Sequence, residues 1–292
     1  MKFGIIGNLD KPELSKVVAL LVSQLDRSGM EYTLETSLAT LLEKNGVHFK
    51  LKKTGTREQC YKDVDMLVAF GGDGTMLAAA RSVGAAGTPI LGVNLGKLGF
   101  LAELAPEELQ EAIGEVLAKK YVVEKRLVLQ ATVSASPGSV LHGLNDVVVD
   151  KSRSSRMINV DVYINDVFAV TYRGDGLIIS TPTGSTAYAL SSGGPIVTPT
   201  SGVIGITPVS PHTLSGRPLI IPDTDTIRVV AQTHSDEILI SVDGQEEAVL
   251  KPPAEVNIRK ASHTVNLVKR VSRSYFDVLR AKLLWGRDAR GT

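Results

Sequence analysis

The hydrophobic periodicity of this chain changes near residue 120, and the change admits only a fold in two unlike parts. Ahead of it, strand and helix patterns alternate. KFGIIG (2–7) is a short apolar run ending in glycine, the mark of a buried strand. Leu14, Val17, Val18, Leu21, Val22 and Leu25 recur at helical spacing, with Asp10 and Glu13 at capping-box spacing before them. Leu34, Leu38, Leu41 and Leu42 predict a second helix, stopped by Asn45-Gly46. VHFKLK (47–52), MLVAF (66–70) and PILGVNL (89–95) read as strands. Leu109, Ala112, Ile113, Val116 and Leu117 form a helical stripe behind Pro106. Alternation with short connections predicts an α/β domain, a parallel sheet with helices on both faces.

From residue 121 helical patterns nearly vanish. YVVEKRLVLQATV, INVDVYI, VFAVTYR, GLIIST, GVIGITPV, TIRVVAQ, EILISVD and HTVNLVK all read as strands, separated by Gly, Pro, Asn and Asp. Asn165-Asp166 sits between two of them as a tight hairpin turn. Many short strands with frequent turns predict an all-β, sandwich-like domain. SRSYFDVLRAKLLWG returns to helical spacing through Phe276, Leu279, Leu283 and Leu284. The predicted organisation is an α/β domain over 1–120, completed by segment 271–292, and a β-sandwich over 121–270. Trp285, on the apolar stripe, is expected to anchor packing, and Cys60 to fill a small space.

Composition narrows the function classes. Lys plus Arg number 32 against 31 Asp plus Glu, so no broad basic face for nucleic acid is expected. A single cysteine excludes an intramolecular disulfide framework and a multi-cysteine zinc site, and suits a reducing compartment. The five histidines show no HExxH and no close pairing along the chain, so no catalytic metal site is expected from them. No run approaches the ~18 apolar residues of a spanning helix, and the first residues lack a signal-peptide apolar region. A cytoplasmic location, with no membrane partner, is the expectation.

The chemistry starts at VAFGGDGTMLAAA, an apolar strand, a glycine-rich loop and a helix-forming run. Gly71, Gly72 and Gly74 remove side chains where backbone must approach a ligand closely, and with Thr75 they form a candidate phosphate loop. The following helix offers N–H groups and a positive dipole end. A carboxylate at a helix N-terminus is favoured in its charged form. Asp73, so placed, can take a proton from a sugar hydroxyl while that oxygen attacks a phosphoryl group. The spacing is neither the P-loop nor the dinucleotide fingerprint GxGxxG. The alternative is that Asp73 only caps the helix and the glycines only make the turn.

GDGLIISTPTGSTAYALSSGGP (174–195) carries the second signal, a strand and then a loop dense in small residues. Thr181, Thr183, Ser185, Thr186, Ser191 and Ser192 offer hydroxyls around one aromatic, Tyr188. A ring beside hydroxyls and N–H groups suits a planar base and its ribose. Asp175 stands ahead of the strand, where it can grip a hydroxyl or amide. In LNDVVVDKSRSSR, Asn145 and Asp146 either turn the chain or bind two hydroxyls; Arg153 and Arg156 either face water or meet a phosphate. No GxSxG elbow is present, so no hydrolase serine is indicated.

GGDGT, LNDVVV, GDGLIISTPTGSTAYALSSGGP and SVDGQ, in that order over roughly 66–247, resemble the NAD kinase family. GGDGT alone also occurs in diacylglycerol- and sphingosine-kinase-like enzymes and in 6-phosphofructokinases; GSTAY behind GDGLIISTPT is the specific part. The resemblance implies a kinase that moves a phosphoryl group from ATP, or polyphosphate, to the 2′-hydroxyl of the adenosine ribose of NAD, giving NADP. It implies Asp73 as general base with Gly74 beside the nucleotide, and Asn145 and Asp146 on NAD hydroxyls. It implies dinucleotide contacts from Asp175, Thr186, Ala187, Tyr188, Ala189, Leu190 and Ser191. Arg156, Arg173 and Gln245 match further NAD contacts of the bacterial branch, and a bulky or basic residue at the Arg173 position resembles the branch that prefers oxidised NAD over NADH. The family's fold places the dinucleotide between an α/β domain and a β-sandwich, with the C-terminal segment returning to the first. A homodimer or homotetramer is implied, in which a neighbour helps complete the site. Mg²⁺ is expected to arrive with ATP, because the sequence shows no acidic cluster that forms a dedicated cage. A lipid or sugar-phosphate kinase and a non-catalytic dinucleotide sensor are the rivals. The sequence has no amphipathic basic helix for a lipid surface, and the intact Asp73 argues for catalysis.

Overall fold

The computed structural model describes residues 1–47, 53–134, 138, 140–234 and 237–285. The strand expected over 47–52 lies, but for Val47, outside them. The chain divides into two compact units, Met1–Lys125 with everything from Val265 onward, and Arg126–Thr264.

The first unit opens with β1 (Lys2–Gly7), α1 (Leu14–Arg27), β2 (Glu31–Glu35), α2 (Thr36–Lys44) and β3 (Thr54–Gly55). It continues with β4 (Met66–Gly71), α3 (Asp73–Val83), β5 (Ile90–Asn94), α4 (Leu109–Leu117) and β6 (Tyr121–Arg126). The second unit holds β7 (Leu129–Val133), β8 (Val140–Gly143), β9 (Asp146–Asp150), β10 (Ile158–Ile164), β11 (Val167–Gly174), β12 (Gly176–Ser180) and α5 (Tyr188–Ser191). Then come β13 (Val203–Val209), β14 (Leu219–Pro222), β15 (Ile227–Gln232), β16 (Ile238–Val242), β17 (Glu246–Leu250) and β18 (Ala254–Lys260). The chain returns to the first unit as β19 (Val265–Arg270) and α6 (Tyr275–Leu283).

The first sheet runs β3-β2-β1-β4-β5-β19-β6, parallel from β3 through β19. Phe3, Ile5, Val68 and Phe70 of its centre bury against Leu14, Val18, Leu21 and Leu25 of α1, each worth about 1.5–3 kcal/mol. β1 leads to β2 on one side while β4 lies on the other. The carboxyl ends of β1 and β4 therefore form the switch point at which open α/β sheets take ligands.

Two helix expectations are corrected. Leu34 lies in β2, buried beside Tyr32 by strand alternation, and the helix starts only at Thr36. Asp10 does not cap α1: Glu13 is the cap residue and makes no side-chain bond. The Asp10 N–H instead donates to Asn8 Oδ1 at 3.1 Å in the turn that leaves β1.

The C-terminal return is held by ions as well as by the sheet. Arg270 donates through Nε and Nη2 to the Glu115 carboxylate, both at 2.8 Å. Arg273 reaches Glu108 at 2.9 Å, and Lys269 pairs with Glu103. β19 fills a slot between β5 and β6, so residues 265–270, expected in the second unit, belong to the first. In α6 only Val278 and Leu279 are buried. Leu284 adopts φ 55° and turns the chain off the helical stripe, which leaves Trp285 51% exposed, not a packing anchor. Phe276 is exposed as well. Cys60 is buried on the first sheet's flank, where burial pushes its thiol up to about 11.

The second unit is two six-stranded antiparallel sheets, β11-β10-β15-β18-β7-β8 and β14-β13-β12-β9-β16-β17. Val147 and Val149 of β9 and Leu177 and Ile179 of β12 share one core with Val160 of β10 and Val229 of β15. Asn165 and Asp166 form the expected hairpin turn, both at positive φ.

Candidate functional site

β4 ends at Gly71, and Gly72 turns in extended conformation (φ −118°, ψ −165°) straight into α3. Asp73 and Gly74 are therefore the first residues of the helix, not members of a loop before it. Nor does Asp73 cap that helix. Its Oδ2 accepts the Phe100 N–H at 2.9 Å, and its Oδ1 accepts those of Leu101 and Ala102 at 2.9 and 3.2 Å. Buried Asn94 braces the same turn by donating to the carbonyls of Lys97 and Ala102 at 2.6 and 3.3 Å. A carboxylate has about four lone-pair positions. Three are used here, so Asp73 is held in one orientation with a position on Oδ2 left for a substrate hydroxyl.

The glycines divide by what demands them. A Cβ on Gly71 would lie 2.1 Å from Thr75 Oγ1, and one on Gly99 2.0 Å from Asp73 Oδ1. Packing therefore requires both. At Gly72 and Gly74 a Cβ would meet nothing within 4 Å, and neither has positive φ. The protein itself has no need of glycine there; a ligand laid against the backbone would. The Thr75 N–H already donates to the Gly72 carbonyl at 3.0 Å, so this member of the candidate phosphate loop is engaged within the turn.

In the second unit, Asp146, Val148 and Asp150 line one face of β9, opposite its core face. Across the ladder stand Ser180, Ile178 and Gly176 of β12. Val148, Ile178 and Val209 pack on Ala189, which docks α5 on this face and brings Tyr188 to it. Asp243, in a hairpin turn with Gly244 at positive φ, accepts the N–H groups of Leu144, Asn145 and Asp146 at 2.9, 2.7 and 3.1 Å. Asp146 is only 5% exposed, and burial reinforced by Asp243 pushes its carboxyl up to about 7. Burial also raises Asp150. Asp175 pairs with Lys151 at 2.6 Å. Tyr188 is 44% exposed; burial of its polar end and the charges of Asp150, Asp175 and Asp146 push the phenol up. A half-open ring amid carboxylates suits a planar ligand rich in hydroxyl and amide donors.

The hydroxyls of the small-residue run serve mainly its own folding. Thr181 Oγ1 donates to the Leu144 carbonyl at 2.6 Å and accepts the Gly184 N–H at 3.0 Å. Ser185 Oγ donates to Pro182 and accepts from Val197, Thr183 accepts from Arg126, and Thr186 donates to the Thr183 carbonyl. Gly184 passes so close that a Cβ would lie 2.0 Å from the Asn145 carbonyl.

The structure thus gathers Asp146, Asp150, Asp175 and Tyr188, with Asn145 next in chain and held by Asp243. Thr186, Ala187 and Leu190 are half-buried, Ser191 is exposed, and Ala189 faces inward. Arg156 and Arg173 are exposed, and their guanidinium groups make no ion pair among the described residues. Gln245 is exposed, next to the Asp243-Gly244 turn. Sequence reasoning missed Asp243, Lys151, Asp150 and the whole Asn94–Ala102 brace. Asp-Gly after a strand signals the first. His142 and His263, far apart in sequence, meet edge-on with ring centroids 4.9 Å apart; burial and His263 lower the His142 pKa.

Residues 3–121 match the ATP-NAD kinase N-terminal domain and residues 144–270 the ATP-NAD kinase C-terminal domain. The NAD kinase of Bacteroides fragilis is 42% identical over 295 residues, covering 99% of this chain and 100% of that protein. Yeast NADH kinase complexed with NADH is similar with a TM-score of 0.91 at 26% identity, covering 100% of this chain and 90% of the other. An NAD kinase from Archaeoglobus fulgidus in complex with ATP gives 0.76 at 25% identity, covering 96% and 99%. The match runs through both units, across the clamped Asp73 and the Asp243-held turn alike, and the chain belongs to the ATP-NAD kinase family.

Proposed function

We propose that the protein transfers the γ-phosphoryl group of ATP to the 2′-hydroxyl of the adenosine ribose of NAD, producing NADP. The observation that carries this is the Asp73 carboxylate, fixed by three backbone N–H groups with one acceptor position to spare. Relatives named NAD kinase, and solved neighbours that hold NADH and ATP, supply the substrates. A ribose hydroxyl is a poor nucleophile at neutral pH, so the enzyme must orient it and remove its proton. Asp73 takes that proton. Asn145, Asp146 and Asp175 receive hydroxyl and amide donors of NAD, and Tyr188, with Thr186, Ala187 and Ser191, receives a base. Arg156, Arg173 and Gln245 add outer contacts, with Arg173 favouring oxidised NAD. Mg²⁺ carried by ATP would supply charge neutralisation on the phosphoryl oxygens. Mg²⁺ usually keeps waters and substrate phosphate oxygens among its ligands and takes few from the protein, so the donor phosphates would hold it. Polyphosphate is a second possible donor. A homodimer or homotetramer in the cytoplasm belongs to the same proposal; among the described residues no helix is long and apolar enough to cross a membrane.

The test is NADP formation by the purified protein with Mg²⁺, offering NAD or NADH against ATP or polyphosphate. Absence of NADP in every arm overturns the proposal. The same assay checks the glycines. Gly74→Ala should leave the melting temperature unchanged or higher, since alanine gains up to about 1 kcal/mol in a helix. It should lower NADP formation at least tenfold. Gly71→Ala should instead lower the melting temperature, because Thr75 must move. Full activity in a folded Gly74→Ala protein would show that no ligand lies on that backbone.

A further inference from the structure

We propose that Lys11 is the cation that holds the triphosphate of the donor nucleotide, an assignment that rests on the kinase activity proposed above. It begins from topology. α1 and α3 both start beyond the carboxyl ends of neighbouring parallel strands, β1 and β4, so two helix N-termini open on the switch point. The Asn8 N–H donates to the Phe70 carbonyl at 2.8 Å, and the Leu95 N–H to the Gly71 carbonyl at 2.9 Å. These bonds draw the ends of β1, β4 and β5 together around the GGDG turn.

Lys11 lies in the turn between β1 and α1, its N–H donating to the Asn8 carbonyl at 3.2 Å. Its Nζ is 3.7 Å from the point a Cβ on Gly96 would occupy, and Asn94 Oδ1 is 3.8 Å from that point. The side chain is half-buried, yet among the described residues its ammonium has no hydrogen bond and no carboxylate partner. The partly buried basic residues of the C-terminal return are all spent: Lys269 on Glu103, Arg270 on Glu115, Arg273 on Glu108. An unpaired ammonium that still faces solvent beside two helix N-termini is free to meet a bound anion.

The adjoining space fits the rest of a nucleotide. A cavity of about 510 Å³ is bounded by Pro12, Asn94, Leu95, Gly96, Leu98 and Pro106. That volume lies within the range of small-molecule sites. Glu13 and Glu107 also line it, so its charge suits ribose hydroxyls and a base amino group and repels phosphates. The contrast orients the donor. The triphosphate goes to Lys11 and to the side of the turn where a Cβ on Gly72 or Gly74 would meet nothing within 4 Å, and the nucleoside goes to the cavity.

Lys11→Met and Lys11→Arg, assayed beside the wild type, test the assignment. The Met variant should raise the KM for ATP at least tenfold and leave the KM for NAD within twofold. Its melting temperature should be unchanged, because no internal pair is lost. Arginine should restore the KM for ATP to within about threefold of wild type. An unchanged KM for ATP, an equal rise in both KM values, or a lowered melting temperature in the Met variant overturns the role of Lys11 while the kinase activity stands. A wild type that forms no NADP overturns both.

Discussion

Asp73→Asn should lower kcat for NADP formation by about 10²–10⁴-fold, the range that a positioned general base contributes. NAD and ATP should still bind within about threefold of wild type by calorimetry. The geometry says why the loss falls on kcat. Leu101 and Ala102 share Oδ1, and an asparagine carbonyl can serve both. Its NH₂ must then face the Phe100 N–H, which now donates to Oδ2. Two donors facing each other cost about 1–3 kcal/mol, so a modest drop in melting temperature is expected as well. Gly99→Ala separates that structural share from the chemistry. It keeps the carboxylate but pushes it, since the new methyl would lie 2.0 Å from Oδ1. If Asp73 acts as base, the two variants lose activity by different routes, and only Asp73→Asn removes the proton acceptor itself. A kcat within tenfold of wild type for Asp73→Asn would end its assignment as base.

Local pattern carried the fold wherever burial and periodicity coincide. The apolar stripe of α1 and the continuous runs of β4 and β5 are legible because each buries a whole face. The sequence puts β19 with the second unit, because its alternation looks like that of any strand; its membership in the first sheet is fixed by β5 and by Glu115, neither nearby in sequence. YVVEKRLVLQATV hid two strands of different sheets for the same reason. The candidate site shows the same split. Asp73 and Tyr188 were visible from their surroundings in sequence. The partners that aim Asp73 come from 27–29 residues away, and Asp243 reaches back 97–99 residues to set Asn145 and Asp146. The backbone N–H groups that donate to a carboxylate leave no local periodicity, so such braces become legible only once the chain is folded.

Asp146→Asn should make the protein more stable at pH 8 and a poorer binder of NAD. The Asp146 carboxyl is nearly withdrawn from water beside Asp243, which lifts it from 3.8 to about 7. The folded state therefore holds this proton more tightly than the unfolded chain does. Between about pH 4 and pH 7 the folded state binds more protons, and stability falls as pH rises through that window. At 1.36 kcal/mol per unit, the penalty above pH 7 is about 2–4 kcal/mol once local relaxation is allowed for. Asparagine does not titrate, so its advantage should appear at pH 8 and fade toward pH 4. A melting-temperature gain equal at both pH values, or absent at pH 8, would contradict a strained carboxylate. Binding should move the other way. An ionised Asp146 accepts a hydroxyl through a charge-assisted bond worth about 1.5–3 kcal/mol. NAD affinity of the wild type should accordingly rise as pH passes 7, while the variant binds about 10–100-fold more weakly with a flatter profile. The opposed signs separate function from packing: a residue kept only for the fold would not be replaced to advantage by its own amide, whereas one kept to grip a sugar would hold its charge at the expense of the fold.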